Sequence, residues 1–275
     1  MSTVPRFSPF VQIKDGREKP PIFIAHGMGG SAQFGELAKH IRTGNPIYGI
    51  QAQGVDGMAE PLESVEDMAQ LYLDALEELY PEDPYILIGY SFGGLVALEM
   101  AQRLLEKGKK IALLVMLDTY PHQRFLPPSR RLRWFLRRMR SHASQIRDMP
   151  YPRALSYFGQ GVRRRLHFPG SSPETQRPET MGLSFAEKAL RRVHQKGYVA
   201  YAKYRPRFYP RNVKFVTTEI KSFFPADPAA VWSALVSDFE VEAIPGHHLT
   251  IVTTEFEGLA SVLTRYIKDV PTQNV

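Results

Sequence analysis

The hexapeptide Gly89-Tyr90-Ser91-Phe92-Gly93-Gly94 sets a serine in a G-x-S-x-G pattern. Before it stands the apolar run Pro84-Tyr85-Ile86-Leu87-Ile88; after it comes an amphipathic stretch over 92–107 that Gly108 ends. Strand, tight turn and helix in that order raise a side chain above a sheet edge. The glycines permit a sharp, strained turn, and the helix N-terminus favours negative charge developing beside it. The chemistry this predicts is nucleophilic attack by Ser91. The bland alternative is a glycine-rich turn with no chemistry.

A serine hydroxyl at its free pKa is a weak nucleophile. A base and an orienting carboxylate are therefore expected later in the chain, in the order Ser, Asp/Glu, His. Six histidines follow Ser91: His122, His142, His167, His194, His247 and His248. Only the last two stand in a loop after a predicted late strand, in Ile244-Pro245-Gly246-His247-His248, from which a side chain can reach back over the sheet edge. His248 is assigned as the base and His247 as a neighbour that shapes the loop. Asp118 closes the apolar run 113–117 at the carboxyl edge beside Ser91 and is assigned as the acid. Its rival, Asp227, precedes Pro228 and reads instead as the N-cap of the helix carrying Trp232. The oxyanion needs fixed N–H donors, each worth about 2.7–4 kcal/mol of transition-state stabilisation. The backbone amide of Phe92 is one. The other is expected from the turn His26-Gly27-Met28-Gly29-Gly30, at Met28, with His26 as a turn-packing residue.

These residues need a scaffold, and the chain alternates in a way that supplies one. Short apolar runs at 22–25, 46–50, 84–88, 111–117, 213–217 and 239–244 read as strands. Between and after them, helices are expected at 33–41, 64–80, 92–107, 229–236 and 257–269. Ser64 opens the second of these, with Asp67 as its capping-box partner. Continuous apolar strands alternating with helices mean a mostly parallel sheet covered on both faces. The alternation breaks at 121–211, where proline pairs, arginine runs and short helical stretches intervene.

The chain has 275 residues, 43% hydrophobic and 23% charged, which excludes a wholly disordered or collagen-like protein. One α/β core plus an insertion suits that length. With zero cysteines there is no disulfide, thiol nucleophile or cysteine-ligated metal, and the composition fits a reducing cytosol. The longest strongly apolar run, 111–117, is far below the roughly 18 residues of a membrane span, and residues 1–5 lack the apolar core of a secretory signal. The expectation is a soluble cytoplasmic protein with no metal. The net charge of +7 conceals a division: residues 121–211 hold 21 Lys+Arg against 4 acids, leaving 14 basic and 24 acidic residues elsewhere. Such asymmetry suggests an electronegative partner for the basic segment. A helix expected over 129–148 carries Leu132, Phe135, Leu136 and Met139 on one face and arginines on the others. It reads as a cover for a pocket with solvated arginines, as a dock for an acidic protein, or as a binder of anionic membrane or nucleic acid.

Taken together, these pieces resemble the thioesterase domains of nonribosomal peptide synthetases and polyketide synthases. The likeness rests on 21–30, on Tyr48-Gly49-Ile50-Gln51-Ala52-Gln53-Gly54, on 89–94, on Glu99-Met100-Ala101, on Leu117-Asp118 and on Pro245-Gly246-His247-His248. It departs at His247, where that family usually has an acidic residue. The resemblance implies the α/β-hydrolase fold as a single domain over 1–275, with residues 121–211 as a helical lid over an acyl chamber. It further implies a substrate held as a thioester on the 4′-phosphopantetheine arm of an acyl or peptidyl carrier protein, with no bound cofactor. Ser91 would accept the acyl group, and water or a group on the chain would release it as an acid or a ring. A carboxylester hydrolase or acyltransferase acting on a free small molecule could use the same residues. A non-catalytic module binding through the basic segment would need none of Ser91, Asp118 and His248.

Overall fold

The computed structural model describes residues 7–125, 184–220 and 227–270. Strands β2 (Ile22–Ala25) and β4 (Tyr85–Tyr90) are apolar throughout save for Gly89, and every residue in them is buried, as befits the middle of a sheet covered on both sides. Around them lie β3 (Ile47–Ile50), β5 (Ile111–Leu117), β6 (Tyr209–Ile220) and β7 (Val236–His247), all parallel. β1 (Phe10–Lys14) pairs antiparallel with β3 at one edge. The order of this seven-stranded sheet is β1-β3-β2-β4-β5-β6-β7.

The helices are α1 (Gly35–His40), α2 (Val65–Leu79), α3 (Phe92–Glu106), α4 (Phe185–Lys203), α5 (Ala229–Trp232) and α6 (Phe256–Lys268). Side chains alternate across a strand, so Ile22, Ile24, Ile86, Ile88, Val115 and Leu117 share one face, in the same core cluster as residues of α1 and α6. α2 and α3 pack together, and α3 lies against β2, β4 and β5. Ser64 caps α2, its Oγ accepting from the Asp67 N–H at 3.1 Å. Its hydroxyl donates to Glu66 at 3.0 Å. The chain leaves β2 toward α1 on one face and β4 toward α3 on the other. The carboxyl ends of these neighbours therefore form the crevice in which open α/β sheets hold their sites.

Three features differ from the sequence expectation or extend it. β1 lies ahead of the regular alternation and is half exposed, so no clean pattern marks it. β7 runs past Ile244 to His247, which pairs with Ile220 and so belongs to the strand rather than the loop. The third is α4, whose residues Ala189, Val193, Gly197 and Ala200 form a buried stripe at helical spacing amid basic residues. The chain divides into two compact units, and α4 falls in the unit built on the sheet, 1–121 with 185–275. The second unit is 122–184, of which only His122, a 3₁₀ turn at Gln123–Phe125 and Ser184 are described. The helix expected over 129–148 lies outside the described residues.

Candidate active site

Ser91 sits between β4 and α3 with φ 54° and ψ −120°, a backbone conformation that side chains rarely adopt. The strain falls on the serine itself, while the glycines around it meet a different need. A Cβ on Gly89 would lie 2.4 Å from the Gly94 Cα, one on Gly93 2.1 Å from the His26 carbonyl oxygen, and one on Gly94 1.9 Å from Thr119 Oγ1. Bare backbone lets the start of α3 sink between the ends of β2 and β5. The Ser91 N–H donates to the Leu117 carbonyl at 2.8 Å, tying the turn to β5.

Asp118 follows β5 directly, also at positive φ (45°), with its N–H donating to Val216 O at 2.7 Å. Its carboxylate is buried, and Oδ2 lies 2.8 Å from His248 Nδ1. Thr217 Oγ1 donates to the other oxygen at 3.3 Å. A carboxylate only accepts, so the imidazole proton sits on Nδ1 and leaves the Nε2 lone pair free. That Nε2 lies 2.9 Å from Ser91 Oγ and can accept a hydrogen bond from its hydroxyl. The His248 side chain is 14% exposed and that of Asp118 2%, so their bond is largely shielded from solvent.

The loop bearing His248 is built by its neighbours. Gly246 has φ 101°, and a Cβ there would meet Glu255 Oε2 at 2.0 Å. Thr250 Oγ1 accepts from the His247 N–H at 3.2 Å, and the Thr250 N–H donates to His247 O at 2.9 Å. Glu255 takes the Thr250 hydroxyl. His247 thus contributes its backbone to the turn.

The turn after β2 approaches the serine closely: a Cβ on Gly27 would lie 3.7 Å from Ser91 Cβ. His26 is buried, and burial, reinforced by His194, lowers its pKa to about 4. The neutral ring accepts from the Gly29 N–H through Nδ1 at 3.0 Å and closes the turn. Among the described residues the Met28 N–H meets no protein acceptor. The Phe92 N–H belongs to the first turn of α3, where helices leave donors unpaired. Both donors are thus available to an oxyanion. α4 covers this turn, with Leu190 and His194 over Gly29, Gly197 over Met28 and Tyr201 edge-on to Phe92.

Asp227 is exposed and accepts from the Ala230 N–H at 3.2 Å at the start of α5, while the carboxylate bonded to His248 is that of Asp118. His194 lies on α4, and His142 and His167 lie outside the described residues. Sequence reasoning passed over Tyr90, whose hydroxyl donates to the His248 carbonyl at 2.6 Å, and Thr217 and Thr250. Tyr90 is the variable x of G-x-S-x-G, and isolated threonines carry no spacing signal.

A model of the thioesterase-domain family matches residues 20–268. The chain belongs to this family. Among its relatives, a dimodular nonribosomal peptide synthase of Bacillus subtilis (strain 168) is 40% identical over 116 residues, 42% of this chain and 5% of that protein. Malpibaldin synthetase of Mortierella alpina is 38% identical over 114 residues, 41% of this chain and 2% of that one. The chain thus matches only a small fraction of the length of these curated relatives. The NocB thioesterase domain, solved as a covalent complex with a fluorophosphonate nocardicin G analog, superposes with a TM-score of 0.63 at 22% identity, covering 93% of this chain and 96% of that one. The type II thioesterase BorB from the borrelidin biosynthetic cluster gives 0.62 at 16% identity, covering 94% and 96%. At such identities the likeness concerns the fold, the α/β-hydrolase fold expected from the sequence.

Proposed function

We propose that this chain is a serine thioesterase that releases an acyl or peptidyl chain from the phosphopantetheine arm of a carrier protein. The observation that carries this reading is the relay from Asp118 Oδ2 through His248 to Ser91 Oγ, at 2.8 and 2.9 Å, in a member of the thioesterase-domain family. The synthetases among its relatives support the carrier-bound substrate.

Ser91 Oγ attacks the thioester carbonyl as His248 Nε2 takes its proton, and Asp118 holds the imidazolium that forms. The N–H groups of Met28 and Phe92 receive the oxyanion. On collapse the carbon–sulfur bond breaks, and the pantetheine sulfur leaves as a thiol with the proton from His248. The acyl group remains as an ester on Ser91. A water deprotonated by His248 then releases a carboxylic acid, or a hydroxyl or amine of the chain closes a ring; either step returns the proton to Ser91.

In this reading residues 1–275 form one hydrolase domain. Of the basic segment 121–211 only the part ahead of α4 is the lid, because α4 belongs to the sheet unit and residues 209–211 open β6. The carrier is acidic. The excess of 21 Lys+Arg over 4 acids in that segment supports the last point. The compartment is the reducing cytosol, which the absence of cysteine fits. A fluorophosphonate should label Ser91 in the folded protein, and acyl-pantetheine thioesters should turn over faster than matched oxygen esters. An unlabelled Ser91 removes the enzyme reading. Faster turnover of the oxygen esters replaces it with a carboxylester hydrolase.

A further inference from the structure

The two ring nitrogens of His248 are occupied by Ser91 and Asp118, yet two bonds do not fix the ring. The imidazole sits on a loop, so the tilt of the ring and the height of its backbone both need support. One side chain meets both. The Tyr90 hydroxyl donates to the carbonyl of His248 itself at 2.6 Å. Its ring stacks on the imidazole, centroids 5.1 Å apart and planes at 24°. Tyr90 is in turn 5% exposed and wedged: Phe34 meets it edge-on at 6.3 Å and 88°, and a Cβ on Gly27 would stand 3.4 Å from its ring. It thus touches the turn that carries Met28 as well as the loop that carries the base.

We infer that Tyr90 is a positioning residue for the reaction, clamping the His248 loop through its hydroxyl and holding the imidazole plane with its ring. Because Tyr90 immediately precedes Ser91 on β4, the clamp references the base to the same strand end that carries the nucleophile. The ring also places an electron-rich face against the imidazolium that forms during acylation, an interaction present only once the proton has moved. Burial raises the pKa of the phenol, which keeps its proton for the His248 carbonyl. The inference rests on His248 as the base.

The test uses the full chain, an acyl-pantetheine thioester, a fluorophosphonate and proton NMR of the His248 ring. Tyr90→Phe keeps the stack and loses the clamp; kcat should fall about fivefold with KM unchanged. Tyr90→Leu loses both, and kcat should fall about thirtyfold. The His248 ring protons should carry a ring-current shift in the parent and in Tyr90→Phe that disappears in Tyr90→Leu. Should Tyr90→Leu not fold, the fivefold loss in Tyr90→Phe carries the test. Parent-like kcat in Tyr90→Phe, or loss of rate in Tyr90→Leu with unchanged His248 ring signals, overturns the inference. A parent chain that fluorophosphonate does not label removes the reading of the site and this inference with it. A labelled parent with an equally reactive Tyr90→Leu variant removes this inference alone.

Discussion

Asparagine in place of Asp118 separates the charge of the acid from its geometry. Asparagine is among the few residues that tolerate positive φ, so the backbone at 45° survives the exchange. The introduced amide has one oxygen and one NH2 to set where two carboxylate oxygens stood. Thr217 Oγ1 donates to Oδ1, which favours the amide oxygen there and puts the NH2 toward His248 Nδ1. Nδ1 must then accept, its proton moves to Nε2, and the nitrogen 2.9 Å from Ser91 Oγ no longer has a lone pair. Loss of the right tautomer costs about 10⁴-fold in kcat, or about 5.5 kcal/mol. Removing the Thr217 donor lets the amide turn its oxygen to His248, so Thr217→Val in the Asp118→Asn background should recover at least tenfold. Acylation can be followed by the thiol released from an acyl-pantetheine thioester. A thiol reagent gives no background from a chain with no cysteine. An Asp118→Asn variant within tenfold of the parent refutes the tautomer argument. A double variant slower than the single one refutes the part assigned to Thr217.

Two further outcomes concern stability. His26 has a folded pKa of about 4 against 6.5, so the unfolded chain binds more protons between those values. Its contribution is complete above about pH 6.5 and declines as pH falls, by about 3 kcal/mol on reaching pH 4. Denaturant midpoints at pH 7 and 4.5 should converge in His26→Asn, whose amide oxygen can still accept from Gly29; an unchanged acid slope would count against the buried neutral ring. Gly94→Ala would drive a methyl into Thr119 and should destabilise the fold by about 2–3 kcal/mol, read as a lower urea midpoint. A midpoint equal to that of the parent would mean that α3 can retreat from β5.

Much of the scaffold is legible because its signals are local. β2, β4 and β5 are continuous apolar runs, α3 carries its own period, and Ser91 lies where one passes into the other. Asp118 is legible for the same reason, being the residue after a buried strand. α4 was not, because its small-residue stripe is diluted by Arg191, Arg192 and Lys196, and net charge masks a helix whose buried face is narrow. The end of β7 was not, because Gly246 and Pro245 read as a break, whereas an edge strand tolerates both.

The sequence by itself determined the residue types and the order in which the chemistry is strung: a serine in a glycine-rich strand-to-helix turn, an aspartate ending the next strand, a histidine late in the chain. Only the tertiary structure decided that His248, 130 and 157 residues from its partners, comes within 2.8 and 2.9 Å of them. Spacing along the chain cannot carry that distance; the register of a parallel sheet does, bringing the carboxyl ends of β4, β5 and β7 to one edge. The glycines acquire their reason there too. In the sequence they are permission to turn, and in the fold they are the space that Thr119 and the His26 carbonyl leave for the helix behind Ser91.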